Sequence, residues 1–254
     1  MSNNGKPRVA FFDFACCEGC QLRVLELEEA LLDVLAQVDI VTFREAMTEA
    51  SDDYDVAFVE GSITRPADLP RIQKIRDTAK VLVALGACAT IGGINCGKNR
   101  FQMAEAMDIV YGDDAAHFET FEARPVDAVV PVDYYIHGCP INPNEFVKVF
   151  HAILQGRPYA VPDHPVCVEC RLKGNVCLLE KGIPCMGPVT RAGCDAICPS
   201  YGYSCFGCRG LVSEPNRNSE SELLQKHGLT SEEVAGRFSI YVQEGYPKRE
   251  EVAK

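Results

Sequence analysis

The chain has 254 residues, of which 47% are apolar and 24% are charged, and its formal net charge is -11. This composition is typical of a globular protein, and the length allows either one large domain or a domain with a smaller appendage. The acidic balance argues against nucleic acid as a partner. No apolar run reaches the roughly 20 residues that span a bilayer, and the first residues show neither a signal-peptide pattern nor a twin-arginine pair. We therefore expect a cytoplasmic protein without a membrane span.

The first part of the chain alternates short apolar runs with helical patterns. Strand-like runs occur at five places, which are residues 9–12, 40–43, 56–59, 81–85 and 134–136. Apolar residues recur at helical spacing between 22 and 38, and further helices are predicted near 69–79 and 144–154. This alternation predicts an α/β domain in which helices cover both faces of a parallel sheet.

Four cysteines follow the ends of predicted strands, and they are Cys17, Cys20, Cys88 and Cys139. In an open parallel sheet, ligands bind beyond the carboxyl ends of the strands, so we expect these thiols to meet at one edge. Gly86 and Gly138 precede two of them and leave room for a bulky inorganic group. The tandem residue Cys16 is set aside, because Cys17 and Cys20 already have a chelating spacing, and Cys96 is expected to be a small buried residue.

A proline-marked linker at residues 155–162 precedes a segment that holds eight of the 14 cysteines. The segment has little periodicity, so metal binding should contribute much of its stability. The spacings are Cys167-x2-Cys170-x6-Cys177-x7-Cys185 and then Cys194-x3-Cys198-x6-Cys205-x2-Cys208. Pro199 after Cys198 is typical of ferredoxin-like iron–sulfur runs.

Two other interpretations of these cysteines are less favoured. Disulfides are rare in the cytoplasm. A four-thiolate zinc site is conceivable, but it would leave four cysteines of the segment unexplained. Such a site would use Cys167, Cys170, Cys205 and Cys208. Twelve cysteines in three sets of four are the number that three [4Fe-4S] clusters require, since each iron takes one thiolate. The sequence therefore predicts an electron-transfer protein.

The chain resembles the small subunits of [NiFe] hydrogenases over residues 8–210. The motifs are Cys17-Glu18-Gly19-Cys20, Val59-Glu60-Gly61-Ser62, Gly86-Ala87-Cys88, Gly138-Cys139-Pro140 and the segment from Gly182 to Cys194. The resemblance implies a flavodoxin-like, doubly wound parallel sheet at 1–160, an irregular cysteine-rich iron–sulfur module at 161–212 and a C-terminal extension at 213–254. We expect this extension to be mobile or to wrap a partner, since it is rich in Glu, Ser and Lys.

The resemblance also divides the twelve cysteines among three [4Fe-4S] clusters. The proximal set, nearest the nickel–iron site of the large subunit, would be Cys17, Cys20, Cys88 and Cys139. The distal set would be Cys167, Cys170, Cys177 and Cys185. The medial set would be Cys194, Cys198, Cys205 and Cys208. His137 and His164 are expected to support or flank these sites rather than to bind metal, and Glu18 and Glu60 are expected near the proximal set.

Two differences from exported members of the family indicate the cytoplasmic branch. Cys167 stands where those members usually have histidine, and Cys198 stands where they have proline. The chain is most similar to the methyl-viologen-reducing type that associates with heterodisulfide reductase, and sulfhydrogenases that reduce pyridine nucleotides are close alternatives. The resemblance implies a large-subunit partner that carries all the catalytic residues. It also implies a further redox subunit, linked to heterodisulfide reductase or a pyridine-nucleotide flavoprotein.

Two alternative functions remain at this stage. The Cys16-Cys17 tandem is similar to that of the quinone-side cluster subunit of respiratory complex I, although that relative lacks a module with eight further cysteines. A free-standing polyferredoxin-like carrier is also compatible with the cysteine pattern.

Overall fold

One parallel sheet forms the centre of the structure, a computed structural model that describes residues 5–242. Five strands pair in the order β2-β1-β3-β4-β5 within the described part of the chain. They are β1 (Arg8–Asp13), β2 (Asp39–Phe43), β3 (Val56–Glu60), β4 (Val81–Leu85) and β5 (Tyr134–Ile136). This is the strand order of flavodoxin-like folds, and it confirms the predicted fold class.

Helices cover both faces of this sheet. The first six α-helices are α1 (Gly19–Leu25), α2 (Glu29–Gln37), α3 (Asp68–Thr78), α4 (Gly86–Ile91), α5 (Met103–Tyr111) and α6 (Pro143–Leu154). Two 3-10 helices, Gly93–Arg100 and Gly112–His117, flank α5. The start of α6 is fixed by Asn142, whose side chain accepts a hydrogen bond from the Asn144 amide, while Pro143 takes the first helical position.

The two faces of the sheet bury different side chains because neighbouring residues of a strand point to opposite sides. On one face the ring of Phe11 stacks between Phe43 and Phe58, at centroid distances of 4.3 and 4.8 Å. On the other face small residues such as Ala10 and Ala57 allow α3 to pack closely. β3 is buried along its whole length, as expected for a central parallel strand. The sheet is thus a rigid base whose carboxyl edge carries the first group of cysteines.

The cysteine-rich module continues from α6 with little regular structure. Its α-helices are α7 (Val166–Leu172) and α8 (Ile197–Ser200), and the C-terminal extension adds α9 (Arg217–Lys226) and α10 (Ser231–Ser239). Leu224 and Val234 of the extension are buried in one cluster with Met186 and Val189 of the module. The expectation of a mobile extension is therefore wrong for α9 and α10, because their apolar side chains complete the core of the module. Residues 243–254 lie outside the described part.

A membrane-crossing helix is absent from residues 5–242, since none of the helices there combines sufficient length with sufficient apolar character.

Candidate iron–sulfur sites

The proximal set lies at the carboxyl edge of the sheet, where the sequence places it. Cys17 precedes α1 and Cys20 lies in its first turn, Cys88 lies in α4, and Cys139 follows β5. Burial raises the pKa of Cys88 to about 12, and the negative charges of Cys139, Glu60 and Cys17 contribute to the rise. These groups are therefore close enough in space to interact electrostatically, although they are far apart in sequence.

Glu60 orients the loop that carries Cys17 and Cys20. Its carboxylate, at the end of β3, accepts hydrogen bonds from the amides of Cys20 at 3.1 Å and Gln21 at 3.0 Å. Only 2% of Glu60 is exposed, and burial raises its pKa even though both amide bonds favour the charged form. On the outer side of the loop, Glu18 adopts a left-handed conformation and pairs with Arg44 at 2.5 Å. Both glutamates therefore lie near the proximal set and support its loop.

Two glycines leave space beside the sulfur atoms of the proximal set. A Cβ on Gly86 would overlap Cys20 Sγ, and a Cβ on Gly93 would lie 2.7 Å from Cys88 Sγ. Both glycines also have a positive φ, +81° and +63°, which side chains other than glycine rarely adopt. The backbone at this edge therefore approaches the thiols more closely than any other residue type would allow.

The distal set surrounds a cavity of about 240 Å³. The thiols that line it belong to Cys167, Cys170, Cys177 and Cys185. Burial raises the pKa of Cys167 to about 12, and the other three cysteines of the set add to the rise. Cys185 Sγ accepts a hydrogen bond from the amide of Cys205 at 3.3 Å, and a Cβ on Gly187 would lie 3.2 Å from Cys167 Sγ.

The medial set lines a second and larger cavity of about 880 Å³. Its cysteines are Cys194, Cys198, Cys205 and Cys208. Cys139 of the proximal set and Tyr241 near the end of the described chain line the same cavity. Burial raises the pKa of Cys208 to about 12, and the thiols of Cys194, Cys139 and Cys198 raise it further. The medial set therefore lies directly beside the proximal set.

The donors fit iron–sulfur clusters better than a single metal ion. Among the described histidine, cysteine, aspartate and glutamate side chains, no group of three is arranged to hold one metal ion. The pairs of the zinc alternative are also divided, because Cys167 and Cys170 line one cavity while Cys205 and Cys208 line the other. The distal and medial sets each line a cavity with four thiols instead, and the four thiols of the proximal set lie close together at the edge of the sheet. Four thiols suit a cluster that offers four iron corners.

The other cysteines and the nearby histidines take different positions. Cys96 is buried, and its thiol contacts the Ala123 carbonyl at 3.6 Å, away from the three sets. Cys16 is half-buried, and its pKa is raised to about 12 by burial and by Glu60. The buried ring of His137 pairs with Thr90 Oγ1 at 2.9 Å, whereas His164 is exposed.

Sequence reasoning missed two carboxylates that connect the sites. Glu169 of α7 accepts hydrogen bonds from the amides of Gly193 at 2.8 Å and Ala196 at 3.1 Å, on both sides of Cys194. Because Glu169 precedes Cys170, it links the backbones of the distal and medial sets. Glu145 of α6 forms a fully buried ion pair with Arg209. No local sequence signal indicates either contact, since each joins residues far apart along the chain.

A flavodoxin-like sheet with thiols at its carboxyl edge, joined to a module with two thiol-lined cavities, defines an iron–sulfur protein of the electron-transfer class. Residues 17–153 match the family described as NADH ubiquinone oxidoreductase, 20 Kd subunit. The chain is 37% identical to sulfhydrogenase 2 subunit delta of Pyrococcus furiosus, over 93% of this chain and 99% of that relative. It is 34% identical to a vhu subunit of the F420-non-reducing hydrogenase of Methanococcus voltae, over 82% of this chain and 84% of the relative.

Solved structures agree with these relatives. A chain of an NAD+-reducing [NiFe]-hydrogenase superposes with a TM-score of 0.55 at 25% identity, over 62% of this chain and 96% of that one. A chain of the Ni-Fe-Se hydrogenase of Desulfomicrobium baculatum shares the fold over 94% of this chain and all of that one, with a TM-score of 0.54 at 17% identity. The chain belongs to the family of [NiFe] hydrogenase small subunits and shares its flavodoxin-like part with the 20 Kd subunit family.

This membership confirms the predicted class and function. The chain is an electron-transfer subunit of a hydrogenase, and hydrogenase small subunits pair with a large subunit. The family also implies that iron–sulfur clusters are present, in agreement with the 14 cysteines of the chain.

Proposed function

We propose that this subunit holds three [4Fe-4S] clusters and relays electrons between the nickel–iron site of a large subunit and an external redox partner. The observation that carries the proposal is that four thiols line each of two cavities, while Cys17, Cys20, Cys88 and Cys139 lie together at the carboxyl edge of the sheet. The ligands would be Cys17, Cys20, Cys88 and Cys139 at the proximal site, Cys194, Cys198, Cys205 and Cys208 at the medial site, and Cys167, Cys170, Cys177 and Cys185 at the distal site.

The protein supplies thiols, hydrogen-bond donors and a dry environment at each site. A bound cluster would accept and release one electron at a potential tuned by burial and by hydrogen bonds to its sulfurs. Burial raises the pKa of Cys88, Cys167 and Cys208 to about 12, so these thiols are protonated at neutral pH in the absence of metal. Iron binds the thiolate form, and loading of the clusters therefore releases protons.

The contacts between the sets support the order proximal, medial, distal. Cys139 of the proximal set and Cys208 of the medial set line one cavity. The amide of Cys205 in the medial set donates to Cys185 Sγ of the distal set. Comparable direct contacts between the proximal and distal sets are not found in the described residues, so the medial set is the natural intermediate.

Exposed apolar surface supports two partners. Ile94 is exposed, and its backbone amide lies next to the Cys88 thiol. Phe101 and, in α5, Ile109 and Val110 are exposed later in the same segment. We propose that the large subunit covers these residues together with the proximal set. Leu172 is exposed at the end of α7, the helix that carries Cys167 and Cys170 of the distal set, and a further redox subunit would dock there.

The family resemblance favours two kinds of redox subunit. The relatives include subunits of an F420-non-reducing hydrogenase, a sulfhydrogenase and an NAD-reducing hydrogenase. We infer a heterodisulfide reductase-linked subunit or a pyridine-nucleotide flavoprotein as the partner. The cytoplasm is the proposed location, because it keeps thiols reduced and available for iron.

Metal analysis of the anaerobically purified complex tests the proposal. The small subunit should contain about 12 iron and about 12 acid-labile sulfide, the content of three four-iron clusters. Nickel should remain with the large subunit, and the isolated small subunit should not oxidise hydrogen. Stoichiometric zinc without brown absorbance, or hydrogen oxidation by the isolated chain, would overturn the proposal.

A further inference from the structure

The guanidinium of Arg209 is completely buried where the flavodoxin-like domain meets the cysteine-rich module. It donates to Glu145 through two bonds, Nη1 to Oε2 at 2.7 Å and Nη2 to Oε1 at 2.8 Å. It also donates to two backbone carbonyls, from Nε to Ala192 at 2.7 Å and from Nη1 to His137 at 2.5 Å. One side chain therefore makes four hydrogen bonds to three separate segments.

Two of these segments, and that of Arg209 itself, carry candidate cluster ligands. His137 lies two residues before Cys139 of the proximal set, and Ala192 lies two residues before Cys194 of the medial set. Arg209 directly follows Cys208 of the medial set. The guanidinium thus joins the backbone around one proximal ligand to the backbone around two medial ligands.

The residues around the guanidinium fit closely against it, and Gly193 leaves space that any larger residue at that position would fill. Gly193 has a φ of +113°, and a Cβ at this position would lie 2.7 Å from Arg209 Cζ and 3.1 Å from Glu145 Oε1. The hydroxyl of Tyr159 donates to Glu145 Oε1 at 3.3 Å and so holds the carboxylate from the other side. The position of the guanidinium is therefore fixed from several directions.

Stability alone does not explain such a pair. Removing two charges from water is costly, and buried ion pairs can often be replaced by apolar side chains without loss of stability. The guanidinium group is planar and directs several N–H donors in fixed directions, so it fixes the relative positions of the groups that it binds. The ammonium group of a lysine does not do this.

We propose that Arg209 is a positioning residue for electron transfer, which sets the separation and orientation of the proximal and medial clusters. The proposal rests on the proposed assignment of these two cysteine sets as cluster ligands. Glu145 is the partner that keeps the guanidinium in place, and Gly193 is the residue that leaves room for it. Substitution of Arg209 should leave all three clusters in place but change the distance between the proximal and medial clusters.

The test uses the anaerobically purified hydrogenase complex with Arg209→Lys, which keeps the charge but loses the fork. The iron content should stay at about 12 per small subunit, because no ligand is changed. The magnetic coupling between the reduced proximal and medial clusters should change. Reduction of the medial cluster by hydrogen should slow several-fold, since the rate of electron tunnelling falls steeply as the distance between two clusters increases.

Hydrogen–deuterium exchange at the nickel site should be unaffected in this variant, because it needs no transfer along the small subunit. Arg76→Gln is the matched control. Arg76 pairs with Asp133 at 2.6 Å, near the amino end of β5, on the opposite edge of the sheet from Cys139. It should change neither the coupling nor the transfer rate.

Gly193→Ala provides a second variant that retains both charged partners but displaces the guanidinium. If Arg209→Lys fails to assemble, an unchanged coupling and rate in Gly193→Ala would overturn the proposal, and altered values would support it. Wild-type coupling and rate in an assembled Arg209→Lys complex would also overturn it. Absence of the clusters from the wild-type protein would instead refute the proposed function itself.

Discussion

At the residue scale, the candidate sites combine cysteine thiols with glycines, which leave space next to the sulfur atoms because they have no side chain. Gly187 lies between two thiols of the distal set, since a Cβ there would be 3.2 Å from Cys167 Sγ and 3.5 Å from Cys185 Sγ. The first distance is shorter than an ordinary van der Waals contact and the second is ordinary, so an added methyl group would force Cys167 Sγ to move.

Gly187→Ala should therefore disturb the distal site selectively. We expect the distal cluster to be lost or to show a shifted paramagnetic signal, so that iron falls from about 12 toward about 8 per chain. Metal analysis and electron paramagnetic resonance measure this. Gly97→Ala is the control, because nothing lies within 4 Å of a Cβ at that position. Equal iron content and spectra in the two variants would contradict the expectation.

Cys198 distinguishes a four-iron medial cluster from a three-iron one. Cys198→Pro should remove one thiolate and leave a three-iron cluster, with about 11 iron per chain and a new paramagnetic signal in the oxidised state. Cys96→Ala should keep all the iron, because Cys96 is buried in the fold with its thiol directed to Ala123. If the Cys198 variant kept the wild-type spectrum, Cys198 would not be a ligand.

The sequence indicates that Cys17, Cys20, Cys88 and Cys139 lie near one edge of the sheet, because the carboxyl ends of parallel strands meet there. The division of the other eight cysteines into two sets comes from the family resemblance and stays a prediction. Neither source indicates the residues that orient the sets. Glu145 and Arg209 are separated by 64 positions, and nothing in either local sequence indicates the partner. Tyr241 was missed for a similar reason, since no pattern in the extension indicates that it returns to the medial cavity.

At the element scale, the strands were predictable because β3 and β4 are continuous apolar runs that are buried on both faces. Residues 93–117 were not predicted. The 3-10 helices there show no helical periodicity of apolar residues. Helix α5 has no buried residue among those described, so it presents no apolar stripe to the core. Its apolar side chains point outward instead, which sequence periodicity does not distinguish from burial.

Helix α9 contains a carboxyl group that makes the packing of the extension sensitive to pH. Glu220 is 2% exposed, and neither of its oxygens has a hydrogen-bond partner in the described structure. Burial raises its pKa from 4.5 to about 7. The folded protein therefore binds this proton more tightly than the unfolded chain, and stability falls as the pH rises from about 4.5 to about 7.

Glu220→Gln should remove this penalty. The melting temperature of the variant should exceed that of the wild type at pH 8, and the difference should shrink at pH 5, where the wild-type carboxyl is protonated. Glu222→Gln, an exposed position on the same helix, serves as the control and should not show a pH-dependent difference. A difference that is equal at both pH values would contradict the argument, and scanning calorimetry under anaerobic conditions measures it.

At the scale of the whole molecule, highly exposed apolar side chains occur both in the flavodoxin-like domain and in the cysteine-rich module. The former include Ile109, which is 71% exposed on α5, and the latter include Leu172, which is 83% exposed on α7. Exposed apolar surface of this kind typically marks sites of protein association. The two residues belong to different parts of the chain, so each offers a separate contact for a partner.

A charge on each surface should disrupt a different contact. Ile109→Asp should reduce the amount of large subunit, and hence of nickel, that co-purifies, because a carboxylate would be buried without a partner. Leu172→Asp should retain nickel and hydrogen–deuterium exchange but slow electron transfer to the natural acceptor. Each variant is the control for the other, and both should keep about 12 iron. Equal loss of nickel in both would refute the separate surfaces.

The pairing of Val242 with Gly92 has a consequence for the biosynthesis of the protein. Domains generally fold in order as the chain leaves the ribosome, so the sheet and the proximal thiols, complete at residue 154, precede the module. Tyr241 can reach the wall of the medial cavity only after residue 241 has been translated. Until then that wall is open, so iron can enter the medial site before this segment packs against it.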